Sequence, residues 1–286
     1  MRYRFMRFPG AKPKAVTLSY DDGFLQDIRF SNVISSYGLK CTFNYNGDSM
    51  SGAHVMKTED VAKHILGMGH EVAIHGCNHR ANGFLSSIEG IQEVLYCRLE
   101  LERKFGRIIR GMAYPDSGVN RFANNSNYEK VKNYLVELDI AYARTAGGSN
   151  NLFEMPTDWY AWAPTAHHDD PEIMNYIDAF VGLDFSENTY IASVRPRLFY
   201  IWGHSFEFER KDNWEHLEEI CMKLSGKEDV WYATNIEIYD YVQAYNSLKF
   251  SADGTMVYNP TLYTIWFNVD RKDYFVKSGE TIIIEP

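Results

Sequence analysis

AVTLSYDDG, residues 15–23, decides how the rest of the chain is read. AVTLSY (15–20) is a short apolar run of strand length, and it stops on two adjacent carboxylates and a glycine. Downstream the same arrangement returns. Residues 24–37 read as a helix. CTFNYN (41–46) precedes a helix near 58–66, and EVAI (71–74) precedes one near 86–105. GMAY (111–114) precedes 127–138, and IAYAR (140–144) follows. DDPEIMNYIDAF (169–180) has the form of a helix capped by aspartate and started by Pro171. RLFYIWG (197–203) precedes 214–224, and VWYAT (230–234) leads into NIEIYDYVQAY. Ser86 with Glu89 and Thr234 with Glu237 have capping-box spacing. Strands alternating with helices argue for parallel βαβ units, and this many in one chain predict a closed α/β barrel. An open doubly wound sheet is the competitor, but no Gly-rich dinucleotide fingerprint follows a strand.

The C-terminal stretch differs. KFSADGTMVYN, TLYTIWFNVD and YFVKSGETIIIE read as strands, with hairpin signals at Asp253-Gly254 and Ser278-Gly279. The expected division is a barrel over 1–248 and a small β appendage over 249–286. The appendage could cover a barrel face, make a contact in a homo-oligomer, or bind sugar. No internal repeat stands out.

Composition narrows the partners. The net charge of −9 includes no basic stripe, so nucleic acid is not expected. No apolar run reaches membrane-spanning length, so no membrane partner is expected. The basic N-terminal stretch MRYRFMRFPGAKPK lacks the apolar centre of a signal peptide. With four scattered cysteines and no Cys-x-x-Cys pair, the expected compartment is the cytoplasm, or outside the cell if a signal was removed. Aromatics are 15% of the chain; most serve packing, and some offer flat faces suited to sugar rings.

Chemistry concentrates at the strand ends. Barrel active sites gather at the C-terminal ends of the strands, where Asp21 and Asp22 fall. Two neighbouring carboxylates repel unless a positive group lies close, and a metal binding one would leave the other as a base. His75-Gly76-Cys77-Asn78-His79 follows the EVAI strand. Two histidines four apart can face one point, and imidazole suits zinc-like ions. With Asp22 they make three protein ligands, the number a catalytic site uses while keeping a position for water. His204 ends RLFYIWG.

TLSYDDG, then HGCNH, a Tyr-Pro turn and WGH, in this order over roughly 15–245, resemble the polysaccharide deacetylase family, also called the NodB-homology domain or carbohydrate esterase family four. The resemblance implies a distorted (β/α) barrel of about seven strands and removal of acetyl groups from a carbohydrate. It implies Asp21 as catalytic base, Asp22, His75 and His79 as ligands of one divalent metal, and His204 as general acid. Zinc is the default ion; cobalt, nickel or manganese suit the same ligands. The substrate class is an acetylated carbohydrate. Competing readings are an O-acetyl (acetylxylan-type) esterase, a small-amide hydrolase, or a carbohydrate-binding protein without turnover.

One motif departs from the family. An Arg-x-Pro-Tyr motif commonly steadies the base there, whereas this chain has Arg110-Gly111-Met112-Ala113-Tyr114-Pro115-Asp116, with Ala113 at the arginine's place and Arg110 too early. Arg144, at the end of IAYAR, is the substitute expected to pair with Asp21. The backbone N–H of Asp116 is the expected oxyanion donor. Tyr114, Pro115 and Trp202 are the expected substrate contacts, with Trp159 and Trp162 as further stacking faces. His167-His168-Asp169-Asp170 is read as a loop and helix cap, with a second metal site as the lesser alternative.

Overall fold

The computed structural model describes residues 2–48, 52–147, 150–186 and 190–285. In chain order its elements begin β1 (Arg4–Arg7), β2 (Lys14–Asp21), α1 (Gln26–Ser36), β3 (Cys41–Tyr45), α2 (Thr58–His64), β4 (Glu71–Ile74), α3 (Ser87–Phe105), β5 (Gly111–Ala113), α4 (Tyr128–Glu137) and β6 (Tyr142–Arg144). There follow β7 (Ala166–His167), α5 (Ile173–Val181), β8 (Arg197–Gly203), α6 (Phe206–Arg210), α7 (Trp214–Leu224), β9 (Val230–Tyr232) and α8 (Asn235–Asn246). Five short strands close the chain: β10 (Lys249–Phe250), β11 (Met256–Tyr258), β12 (Ile265–Val269), β13 (Lys272–Val276) and β14 (Thr281–Ile283).

The main sheet is parallel, in the order β6-β5-β4-β3-β2-β8-β7. β2 is its axis, buried along its whole length, as a strand covered on both faces should be. β8 runs along one edge of β2 from Lys14 to Tyr20. β3 takes the upper half of the other edge and β9 the lower half. The ends of the sheet meet through the segment 162–168. The Trp162 N–H donates to Ala143 O and the Thr145 N–H to Trp162 O, at 3.1 and 3.0 Å. Further along, Thr165 and His168 donate to Tyr200 O and Trp202 O on β8. This is the expected distorted (β/α) barrel.

Strand alternation sorts the side chains. Val16, Leu18, Tyr20, Phe43, Tyr45, Val72, Ile74, Met112, Phe199 and Ile201 face the helices in one apolar cluster. The opposite phase holds Thr17, Ser19, Asp21, Thr42, Asn44, Glu71, Tyr142, Arg144 and Tyr200. These bond across the interior: Thr42 Oγ1 and the Tyr142 hydroxyl donate to Glu71 at 2.7 Å each, and Thr17 Oγ1 donates to Asn235 Oδ1 at 2.8 Å. The barrel interior is therefore a polar stack that ends, at the top, in the candidate site.

Both capping boxes form, Ser86 with Glu89 and Thr234 with Glu237. Two local expectations need correction. α5 begins at Ile173 without a side-chain cap; Asp170 instead accepts the Glu172 N–H in a turn before the helix. Ser278-Gly279 does not join a hairpin, because β13 pairs with β12 and β14 with β11. The link between them crosses from one small sheet to the other. β1, from the N-terminal end, is the third strand of the β12–β13 sheet. Among the described residues the four cysteines form no disulfide, and no helix is long and apolar enough to cross a membrane.

Candidate active site

Three strand ends converge. β2 delivers Asp21 and Asp22, β4 delivers His75 and its loop delivers His79, and β8 delivers His204. Asp22 has φ +77° and its N–H donates to Asn44 O at 3.0 Å, which turns its side chain away from the strand direction. Gly23 makes this turn possible: a Cβ there would lie 2.0 Å from the Tyr45 ring.

The Asp22 Oδ1 oxygen lies 3.7 Å from His75 Nε2 and 3.6 Å from His79 Nε2. The three ligand atoms lie within 4.8 Å of one another. A tetrahedral ion with bonds of about 2.1 Å has ligand–ligand edges of roughly 3.4 Å, so the spacing fits a small divalent cation. The tautomer fits too. His75 Nδ1 faces Ala113 O at 3.0 Å, and a carbonyl only accepts, so Nδ1 carries the proton. Nε2 then turns its lone pair toward Asp22, an arrangement that calls for a cation between them. Burial pushes the His75 imidazole below its ordinary range, against the opposing pull of Asp21 and Asp22. The residues present fit the metal that the sequence implies.

The loop carrying His79 is fixed by a carboxylate that sequence reading missed. Glu93, buried on α3, accepts the N–H groups of Asn78 (2.6 Å) and Arg80 (3.1 Å) and the Asn78 amide (3.0 Å). Between them His79 adopts φ +53°. Gly76, at φ +84°, lets the chain pass Glu93, whose Oε1 would be 2.9 Å from a Cβ.

Asp21 is 2% exposed. Its Oδ1 accepts from Asn44 Nδ2 at 2.8 Å and its Oδ2 from Arg144 Nη2 at 2.5 Å. Burial alone would raise this carboxyl; Arg144, with His75 and His204, holds it below the ordinary carboxylate range. Arg144 is fully buried, with its guanidinium 4.7 Å above the centre of the Trp202 ring. The expected pairing of Arg144 with Asp21 is present. Arg110 lies at the start of β5 and faces Asp139 and Asp240 instead.

His204 Nε2 lies 3.8 Å from Asp22 Oδ2, and its Nδ1 lies 3.5 Å from Glu207 Oε2. Burial would lower this imidazole, but Glu207, Asp21 and Asp22 together raise it above its ordinary value. Glu207, on α6, is the second residue that the motifs did not reveal.

The polysaccharide deacetylase family model matches residues 9–136. Over this segment, less than half of its length, the chain is similar to the polysaccharide deacetylase family. Asp21, Asp22, His75, His79 and Asp116 lie inside the matched segment; Arg144 and His204 lie beyond it. A comparison with curated proteins returns no match. Among solved structures, the fold is similar to a Mycobacterium smegmatis protein named as a polysaccharide deacetylase, with TM-score 0.58 and 15% identity over 86% of this chain and 96% of that one. It is also similar to the Xyl-CE4 domain of a multidomain xylanase from the hindgut metagenome of Trinervitermes trinervoides (TM-score 0.51, 14% identity, 82% and 92% covered). A third is the chitin deacetylase of the fungal pathogen Colletotrichum lindemuthianum (TM-score 0.50, 16% identity, 82% and 89% covered). At these identities the likeness is one of fold.

Several expected substrate contacts take other positions. Tyr114 is 1% exposed and its hydroxyl donates to Tyr160 O, so its ring offers no face to a sugar. Pro115 is buried beneath Gly76, where it backs the histidine loop. Trp162 is buried against Tyr142 and Tyr200, and Trp159 packs on Trp162 and Tyr239. Trp202 gives one face to Arg144 and an edge contact to His167. Asp116 follows Pro115 at an exposed turn with φ +52°.

Proposed function

We propose that this chain is a metal-dependent hydrolase that removes acetyl groups from a carbohydrate. The observation that carries this reading is the approach of one Asp22 oxygen to two imidazole Nε2 atoms, at 3.7 and 3.6 Å, beside a buried carboxylate paired with an arginine. Asp22, His75 and His79 would hold the ion, zinc by default. Once bound there, such an ion polarises an acetyl carbonyl and makes water more acidic.

The chain's own groups supply the proton transfers. Asp21, kept ionised by Arg144 and Asn44, takes a proton from the water that attacks the acetyl carbonyl. The Asp116 N–H, in the exposed turn that follows β5, is the proposed donor to the developing oxyanion. His204, whose protonated form Glu207 favours, gives a proton to the leaving nitrogen or oxygen as the C–N or C–O bond breaks. The products are acetate and a free amine or hydroxyl. The same acid serves amide and ester, so the residues favour neither; an N-acetylated sugar is the leading substrate and an O-acetylated xylan the second.

The test measures acetate released from chito-oligosaccharides and from acetylxylan by zinc-loaded protein, compared by kcat/KM. Release from either establishes the enzyme. No release from either, with zinc bound, leaves the reading of a carbohydrate-binding protein without turnover.

A further inference from the structure

A second group of metal-type ligands lies beyond His204. His167 ends β7, His168 and Asp169 follow it, and Glu207 comes from α6. One ligand atom from each lies within 4.8 Å of the others. His168 is the telling residue. It is fully buried, its ring stacked on Phe208 at 4.2 Å, yet neither ring nitrogen makes a hydrogen bond. Its Nε2 lies 3.3 Å from Asp169 Oδ2 and 3.5 Å from Glu207 Oε2.

These separations match the tetrahedral edge of roughly 3.4 Å given above, and they exceed a charge-assisted hydrogen bond of about 2.8 Å. A buried imidazole left unbonded in front of two carboxylates is costly unless a cation joins them. We infer that His168, Asp169 and Glu207 form a second divalent-cation site, distinct from the Asp22 site and sharing Glu207 with the proposed acid His204. His167 is its outer partner. His167 Nδ1 accepts the Asp169 N–H at 3.2 Å, so its Nε2 carries the proton and faces Glu207 Oε2 at 3.0 Å, orienting that carboxylate. The fourth position is left for water. Asp169, Glu207 and His167 are partly exposed, so an ion can enter from solvent.

Lys211 is the internal competitor. Its ammonium donates to Asp169 Oδ2, the oxygen an ion would take. The side chain is 43% exposed, so it can swing into water when an ion arrives. A site with a built-in competitor binds its ion more weakly than the Asp22 site.

The experiment is a zinc titration of the full chain, stripped with chelator, read by equilibrium dialysis and elemental analysis. Wild type is expected to take a second, weaker equivalent of zinc. His75→Ala should lose the tighter equivalent and keep the weaker; His168→Phe, which preserves the ring stack, should do the reverse. Glu207→Gln tests the same point should His168→Phe fail to fold by circular dichroism. Lys211→Met should tighten the weaker equivalent by about tenfold. A single equivalent in wild type, a weaker equivalent retained by folded His168→Phe or Glu207→Gln, or no tightening in Lys211→Met overturns the site. Loss confined to the tight equivalent in His75→Ala bears on the Asp22 site alone, so the two readings fail separately.

Discussion

At the scale of single residues the decisive contact is Arg144 with Asp21. Both are buried, and the guanidinium is sandwiched between the carboxylate and the Trp202 ring. Removing one partner of a buried pair leaves an unpaired charge, at a cost of about 3–5 kcal/mol. Arg144→Met should therefore lower the denaturant midpoint and, by releasing Asp21 to a higher pKa, shift the acid limb of kcat/KM upward. A chevron or urea melt together with a pH–rate profile checks both; an unmoved acid limb removes the arginine from the mechanism. The wild-type profile has a definite sign. As the proposed base Asp21 must be ionised, and its depressed pKa places the acid limb below the ordinary carboxylate range. As the proposed acid His204 must be protonated, and its raised pKa places the alkaline limb above an ordinary imidazole's 6.5. Activity should then plateau between the two limbs. Glu207→Gln removes a group that raises His204, so the alkaline limb should move to lower pH; a limb that stays in place denies Glu207 this part.

At the scale of elements, the strands were legible because each is an alternating or apolar run with clear ends. EVAI and RLFYIWG match β4 and β8 residue for residue. The inward column was legible as well: in CTFNYN the polar set Thr42, Asn44, Asn46 alternates with Cys41, Phe43, Tyr45. Reading that phase would have placed Asn44 beside Asp21 and Asn46 beside Asp22. Glu93 and Glu207 left no such mark, since a carboxylate on a helix looks solvent-facing until the loop it binds is known. β1 was missed because RFMR is four residues long and basic, and it becomes a strand only against β12. Glu93 also yields a prediction. It organises the loop without touching the proposed ion, and partners of that kind typically contribute 10- to 100-fold to metal affinity. Glu93→Gln should weaken zinc binding by about that factor in a chelator competition, with much of kcat recovered at excess zinc. Affinity equal to wild type would mean the loop holds itself.

At the scale of the whole molecule, the two chain ends are built into one unit beneath the barrel. Val257, Ile265, Phe267, Val269, Val276 and Ile284 share a core with Met6 and Phe8 from the N-terminal end and with Tyr241 and Leu248 of α8 and its end. That core continues into the barrel floor through Ala15, Leu198 and Tyr200. The Tyr241 hydroxyl joins the parts, donating to Arg7 O at 2.8 Å and accepting the Trp266 N–H at 2.9 Å. A chain cut after residue 248 would lose those six buried side chains and bare the surfaces they cover. At roughly 1.5–3 kcal/mol per large apolar side chain, the loss is on the order of 10 kcal/mol, comparable to the whole stability of a typical domain at about 5–15 kcal/mol. The truncated chain should aggregate or bind a hydrophobic dye at temperatures where the full chain is native. Tyr241→Phe isolates the joint from the bulk: it keeps the ring and deprives the Trp266 N–H of its acceptor, at about 1–3 kcal/mol. A 1–248 fragment that melts like the full chain would show that the barrel stands without this unit. The strands from both ends would then serve some purpose other than stability.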